Sequence, residues 1–201
     1  MTKPLDNAHA LHDLAVVEAM VAELEPYLKS DILYWQLSPS PPISPPAPLL
    51  TLGGILLRAH RLTGQQQALD TAQQTRLAAA KATLDRATDE WSAHIGRRLE
   101  RELKARLDSW QWFVEDCEAQ KQTCITYYAT EAELRTVIEL LIAYGDRLGD
   151  LALQRRRLRG LDGRFRRWFK EGDFVWRAEL APVYPKGQFW WLYGRPEFPQ
   201  R

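Results

Sequence analysis

Apolar residues recur at three- and four-residue steps through most of this chain, the spacing of helices that bury one face. Leu14, Val17, Val21, Leu24 and Leu28 form a stripe opposite His12, Glu18, Glu23 and Glu25, which predicts a helix from an Asp6 or Asn7 cap to about Lys29. Leu49 to Leu62 reads as a short buried helix stopped by Gly64. From Gln65 to about Glu118 the stripe continues through Leu77, Leu84, Trp91, Ile95, Leu99, Leu103, Leu107, Trp110, Val114 and Cys117. Nothing stronger than Gly96 interrupts it, so a single helix roughly 70–80 Å long is expected. The capping-box pattern Thr130-Glu131-Ala132-Glu133 opens another, carried by Leu134, Val137, Ile138, Leu141, Leu148 and Leu151 to about Arg159. The two predict an antiparallel hairpin with Gln120 to Ala129 at its tip, and Arg98/Glu102, Glu100/Lys104, Glu102/Arg106 and Lys104/Asp108 as ion pairs along its exposed side.

Proline placement bounds these helices, because an interior proline costs a helix about 3 kcal/mol. All 12 prolines lie in residues 4–48 or 182–199, and the 133 residues between Pro48 and Pro182 contain none. Residues 38–48, SPSPPISPPAP, are restricted to extended or polyproline II backbone, and read as a rigid surface connector that also contains P-x-x-P spacings. Beyond Glu171-Gly172-Asp173 the chain turns aromatic and β-prone, with Pro185-Lys186-Gly187 suited to a turn. The fold expected is all-α: a long, coiled-coil-like antiparallel helical hairpin with the N-terminal helix packed on it and an aromatic C-terminal tail that is extended or a small β-hairpin. A single domain over 1–201 is expected, comprising an N-terminal helix and extension (1–37), the connector (38–48), a helical body (49–170) and the tail (171–201).

Composition narrows the class. With 201 residues, 45% hydrophobic and 26% charged, the chain is neither disordered nor a disulfide scaffold. The N-terminus lacks a signal-peptide pattern, and the longest nearly apolar run, Pro45 to Leu57, is broken by prolines and glycines. A cytoplasmic protein without membrane attachment is therefore expected, with Cys117 and Cys124 as reduced thiols.

Net charge is +1, from 27 Lys+Arg against 26 Asp+Glu. This total conceals a block. Arg155, Arg156, Arg157, Arg159, Arg164, Arg166, Arg167 and Lys170 are eight bases against one acid, Asp162, so residues 155–170 carry +7 and the remainder −6. Trp168 and two phenylalanines are interleaved, and guanidinium groups beside aromatic faces suit phosphate contact and base stacking. The competing expectation is internal pairing of these arginines with Asp13, Glu18, Glu23 and Glu25 of the acidic N-terminal helix.

Other constellations are weaker. His9 and His12 lie one helical turn apart but lack further ligands, and the two cysteines cannot complete a zinc site. Glu90/His94 and Glu115-Asp116-Cys117-Glu118 read as solvated faces, and no phosphate-binding or nucleophile motif occurs. No metal or cofactor is implied. In an extended tail Trp190 and Trp191 face opposite ways, so one of them is a candidate partner contact. The first expectation for function is a non-enzymatic interaction or scaffold protein that contacts a protein partner, or a second copy of itself, through a long helical surface. The alternative is a nucleic-acid-binding accessory protein acting through residues 155–170.

Overall fold

A computed structural model describes residues 8–39 and 42–198. The expected caps Asp6 and Asn7, and Ser40 and Pro41 of the proline segment, lie outside the described residues. The chain is mostly helical with one small two-stranded antiparallel sheet near its C-terminus. It divides into two compact units, Met1–Leu99 and Glu100–Arg201, whose boundary falls inside a helix rather than at the proline segment. Among the described residues no helix is long and apolar enough to cross a membrane.

The first unit holds α1 (Ala8–Ala22), α2 (Leu24–Lys29), α3 (Leu52–Gly64), α4 (Thr71–Glu90) and the start of α5 (Ser92–Ala119). Leu14 and Val17 of α1 meet Leu62 of α3 and Leu77 and Ala80 of α4 in one buried cluster, so the stripe read from the sequence is this unit's core. The expected N-terminal helix is two helices. Chain direction changes at Glu23, and Pro26 sits in the first turn of α2, where a missing N–H costs little. The Glu23 carboxylate accepts hydrogen bonds from Trp35 Nε1 at 2.7 Å and from the Ser38 N–H at 2.9 Å. Trp35 and Leu50 exchange backbone hydrogen bonds of 3.1 and 2.8 Å, so the proline segment is a loop with its ends tied together.

The single helix expected over Gln65 to Glu118 is instead α4 and α5, separated at Trp91, whose φ of −116° and ψ of 32° leave the helical region. Leu84, Thr88 and Ile95 are buried at four- and seven-residue steps across this break, so the helical burial period continues through it and the sequence does not reveal it. Asp70 and Gln73 form a reciprocal capping box at the start of α4. Arg98, only 3% exposed, donates hydrogen bonds to the carbonyls of Tyr27, Ser30 and Ile32, and its guanidinium lies 4.5 Å from the Tyr27 ring centroid. It thereby satisfies carbonyls that the end of α2 leaves without helical partners.

The second unit contains the rest of α5, α6 (Lys121–Gly145), α7 (Ala152–Phe165), β1 (Phe169–Phe174) and β2 (Tyr193–Pro196). The helix read from the Thr130 capping box starts nine residues earlier, after Gln120, and ends at Gly145; α7 is a separate element. Of the expected ion pairs, Arg106–Glu102 and Lys104–Asp108 are present at 2.7 and 3.0 Å, but the first does not lie on an exposed side, because Glu102 is buried. In the tail β1 pairs with β2 in the register Lys170↔Arg195 and Glu171↔Gly194. Gly194 has φ +149°, and a Cβ there would stand 2.1 Å from the Lys170 carbonyl oxygen, so this position requires glycine. Between the strands lie two short 3₁₀ segments, Ala178–Val183 and Trp190–Leu192, and the expected turn at Pro185, whose carbonyl accepts from the N–H groups of Gln188 and Phe189.

The expectation of two reduced thiols is overturned. Cys117 of α5 and Cys124 of α6 form a disulfide with a Cα–Cα distance of 4.9 Å, and both residues are buried. Gln120 alone, with φ −135° and ψ 79°, separates α5 from α6 where a ten-residue segment is expected, and the two cysteines lie close on either side of it. Closing so short a loop stabilises the fold by about 2 kcal/mol. Replacing both cysteines by serine, or adding a reductant, is expected to lower the urea midpoint by a corresponding amount; an unchanged midpoint would show that the bond contributes nothing.

Candidate polyanion-binding face

Helix α7 places the basic block. Leu158, Leu161 and Phe165 recur at three and four residues and are buried, so this side is the inner one. Phe165 sits among five aromatic rings: Trp110, Phe113, Tyr128, Phe169 and Trp190, with centroids 5.2 to 6.3 Å away. The block's one acid also faces inward. Asp162 accepts from Arg135 Nη2 at 2.9 Å, from Arg135 Nε at 3.1 Å and from Trp110 Nε1 at 3.2 Å. Arg135, 3% exposed, donates to Glu139 at 3.0 Å as well, and its guanidinium stacks 3.7 Å from the Trp191 ring centroid. Trp191 Nε1 donates to Thr136 Oγ1 at 2.9 Å, and the Tyr128 hydroxyl donates to the Trp191 carbonyl.

The outer side of α7 is left purely cationic, and its members fall into two groups. Arg157 is held by Asp108 at 2.7 Å and Gln111 at 2.8 Å, and Arg164 by Glu118 at 2.9 Å. Arg155 pairs with Asp146, and Lys170 with Glu197 at 2.8 Å. Arg164 holds the Glu118 carboxyl below the usual carboxylate range; Lys104 first and then Arg157 do the same for Asp108. The second group is exposed and free of ion pairs. Arg156 and Arg159 have no partner among the described residues; Arg166 lies on the Trp190 ring at 3.7 Å; Arg167 acts on Glu118 only at longer range. Arg156, Gly160 and Gly163 share one face of α7, and the two glycines raise no side chain between Arg156 and the turn that carries Arg167.

The expected internal pairing with the N-terminal helix is not the arrangement found. Asp13 pairs with Arg58, Glu18 with Arg76 and Glu25 with Lys29, while Glu23 holds Trp35 and Ser38, all within the first unit. Trp168 packs 6.1 Å from Phe198. Trp190 and Trp191 lie in a 3₁₀ segment rather than the extended backbone on which their alternation was expected; Trp191 is 1% exposed, Trp190 is half-buried, and Arg166 covers it. The basic block and the tail tryptophans, read separately from the sequence, thus meet at Arg166.

Arg135 was not singled out by sequence, and the solitary acid within the basic block was the one signal pointing to it. Among the described residues no three His, Cys, Asp or Glu side chains group closely enough to hold a metal ion. A cleft of about 480 Å³ between α6 and the sheet is rimmed by Lys170, Glu171, Arg195 and Glu197, of which Lys170 and Glu197 pair with each other. No protein-family model, curated protein or solved structure matches this chain.

Two outcomes follow from the buried network. Asp162→Ala leaves Arg135 with Glu139 alone and the Trp110 N–H without an acceptor, and should cost about 2–3 kcal/mol in denaturant unfolding, below the ~3–5 kcal/mol of a fully uncompensated buried charge; a loss below 1 kcal/mol would mean the pair is dispensable. Burial raises the Tyr128 phenol well above its ordinary value. The unfolded chain ionises this group near pH 10 and the folded chain does not, so its contribution is full below about pH 10 and is lost as pH rises further. Tyr128→Phe should therefore flatten the alkaline limb of the stability profile by one proton.

Proposed function

We propose that this is a non-enzymatic binding protein that holds nucleic acid, as an extended polyanion, along the outer face of α7. One observation carries the reading: the only acid of the basic block, Asp162, is turned inward onto Arg135, so Arg156, Arg159, Arg166 and Arg167 stand exposed without a carboxylate within ion-pair distance. Arg156 lies ten residues before Arg166, the cap of α7, about 15 Å along the helix, which spans several phosphates of a nucleic-acid strand. Arg157 and Arg164, anchored by α5 carboxylates, support the flank of this face. The chemistry offered is binding, and the basic face needs no cofactor for it. A cytoplasmic location belongs to the same proposal, and there the Cys117–Cys124 bond, shut away from solvent, has to resist reduction.

A protein partner, or a second copy, is a second reading, favoured by the exposure of Trp112 at 67% and Leu153 at 73%. A coiled-coil-like pairing through a long helical surface would cover such side chains. Light scattering that shows a strict monomer over the micromolar range would remove the self-association form of it.

The nucleic-acid reading is tested by fluorescence anisotropy with a labelled oligonucleotide between 50 and 200 mM salt. Affinity should fall steeply with salt, and Arg156→Ala with Arg159→Ala should weaken binding and reduce the log–log salt slope by about 1.4–1.8. Absence of binding at 50 mM salt would end this reading.

A further inference from the structure

Arg166 differs from the other exposed arginines in how it is held. Its guanidinium centre is 3.7 Å from the Trp190 ring centroid. Trp190 is itself wedged by Phe169 edge-on at 5.0 Å, by Trp191 at 5.9 Å and by Phe165 at 6.3 Å, so the indole is a fixed support. Arg166 is exposed, and no hydrogen bond or ion pair engages it among the described residues. A planar, delocalised cation lying on a fixed ring has one face against the indole and the other toward solvent. Its N–H edge remains free to donate.

We infer that the Arg166–Trp190 stack is a platform for an unpaired nucleobase, and that the polyanion held by α7 is single-stranded. The inference rests on the nucleic-acid reading above and adds the class of strand. A guanidinium plane stacks on a base as an aromatic ring does, whereas a base inside a duplex is already stacked on both faces and offers only its edges. Arg167 follows Arg166 directly. Arg159 lies seven residues earlier on the same side of α7, about 10 Å along the axis, so cations stand on both sides of the platform for the flanking phosphates.

Arg166→Lys separates stacking from charge, because lysine keeps the cation and loses the plane. The full-length protein and this variant are titrated with labelled oligothymidylate and with a duplex of equal length at constant salt. Thermal melting of both proteins verifies that the variant folds. The wild type is expected to prefer the single strand, and the variant to bind it about tenfold more weakly with an unchanged salt slope, while duplex affinity stays the same. A variant that binds the single strand as tightly as the wild type overturns the platform, as does an equal loss on both ligands or a wild-type preference for duplex. In those three cases the nucleic-acid reading still stands. Failure of the wild type to bind either ligand at 50 mM salt overturns both.

Discussion

A guanidinium removed from water must be given a carboxylate, and in the second unit that requirement is met by Asp162 reaching Arg135 across 27 residues of sequence. Four elements meet at this pair. Arg135 belongs to α6 and Asp162 to α7; Trp110 of α5 donates to the same carboxylate, and Trp191 of the tail lies flat against the guanidinium. Burying two charges is expensive, so such a network contributes less net stability than its hydrogen bonds suggest. It also bears on register: a shift of α7 by one residue would take Asp162 away from Arg135 and Trp110 and leave Arg135 with Glu139 alone. The aromatic rings around Phe165 supply the apolar burial, and the ion pair sets which way each helix faces.

This inward use of Asp162 also shapes the surface. A basic helix with one acid on its outer side would have a local counter-charge; with the acid turned inward, the outer side has none of its own. The carboxylates that neutralise Arg157 and Arg164 come from α5, and they reach only one flank of α7. Core architecture and surface potential are therefore linked through a single side chain. In the first unit a buried arginine is used differently, since Arg98 donates to carbonyls at and just beyond the end of α2, where the helix terminus carries partial negative charge.

Much of the secondary structure was legible because its causes are local. The proline-free middle is mostly helical, the aromatic tail contains β2 while β1 begins earlier, at Phe169, and crosses Glu171-Gly172-Asp173, and the short helix after the proline segment lies where its apolar residues put it. Boundaries were less so. The interruption at Trp91 needs neither proline nor glycine, and the buried pair Thr88 and Ile95 keeps the seven-residue period across it. The break at Gln120 occupies one residue and carries no turn signature, so the sequence does not reveal that the two cysteines on either side of it form a disulfide rather than separate thiols.

The sequence by itself determined that a helical body carries a concentrated cationic block beside aromatic residues, since composition and periodicity are properties of neighbours along the chain. Which of those cations are free was decided only by tertiary structure. Asp162 meets Trp110 from 52 residues away and Arg157 meets Gln111 from 46, and no local pattern encodes contacts at that distance. The same holds for Arg166 and Trp190, two features with no relation in sequence, which folding places one against the other. Local preference chooses the elements, but the balance of charge on a surface depends on which partners the packed core brings within reach.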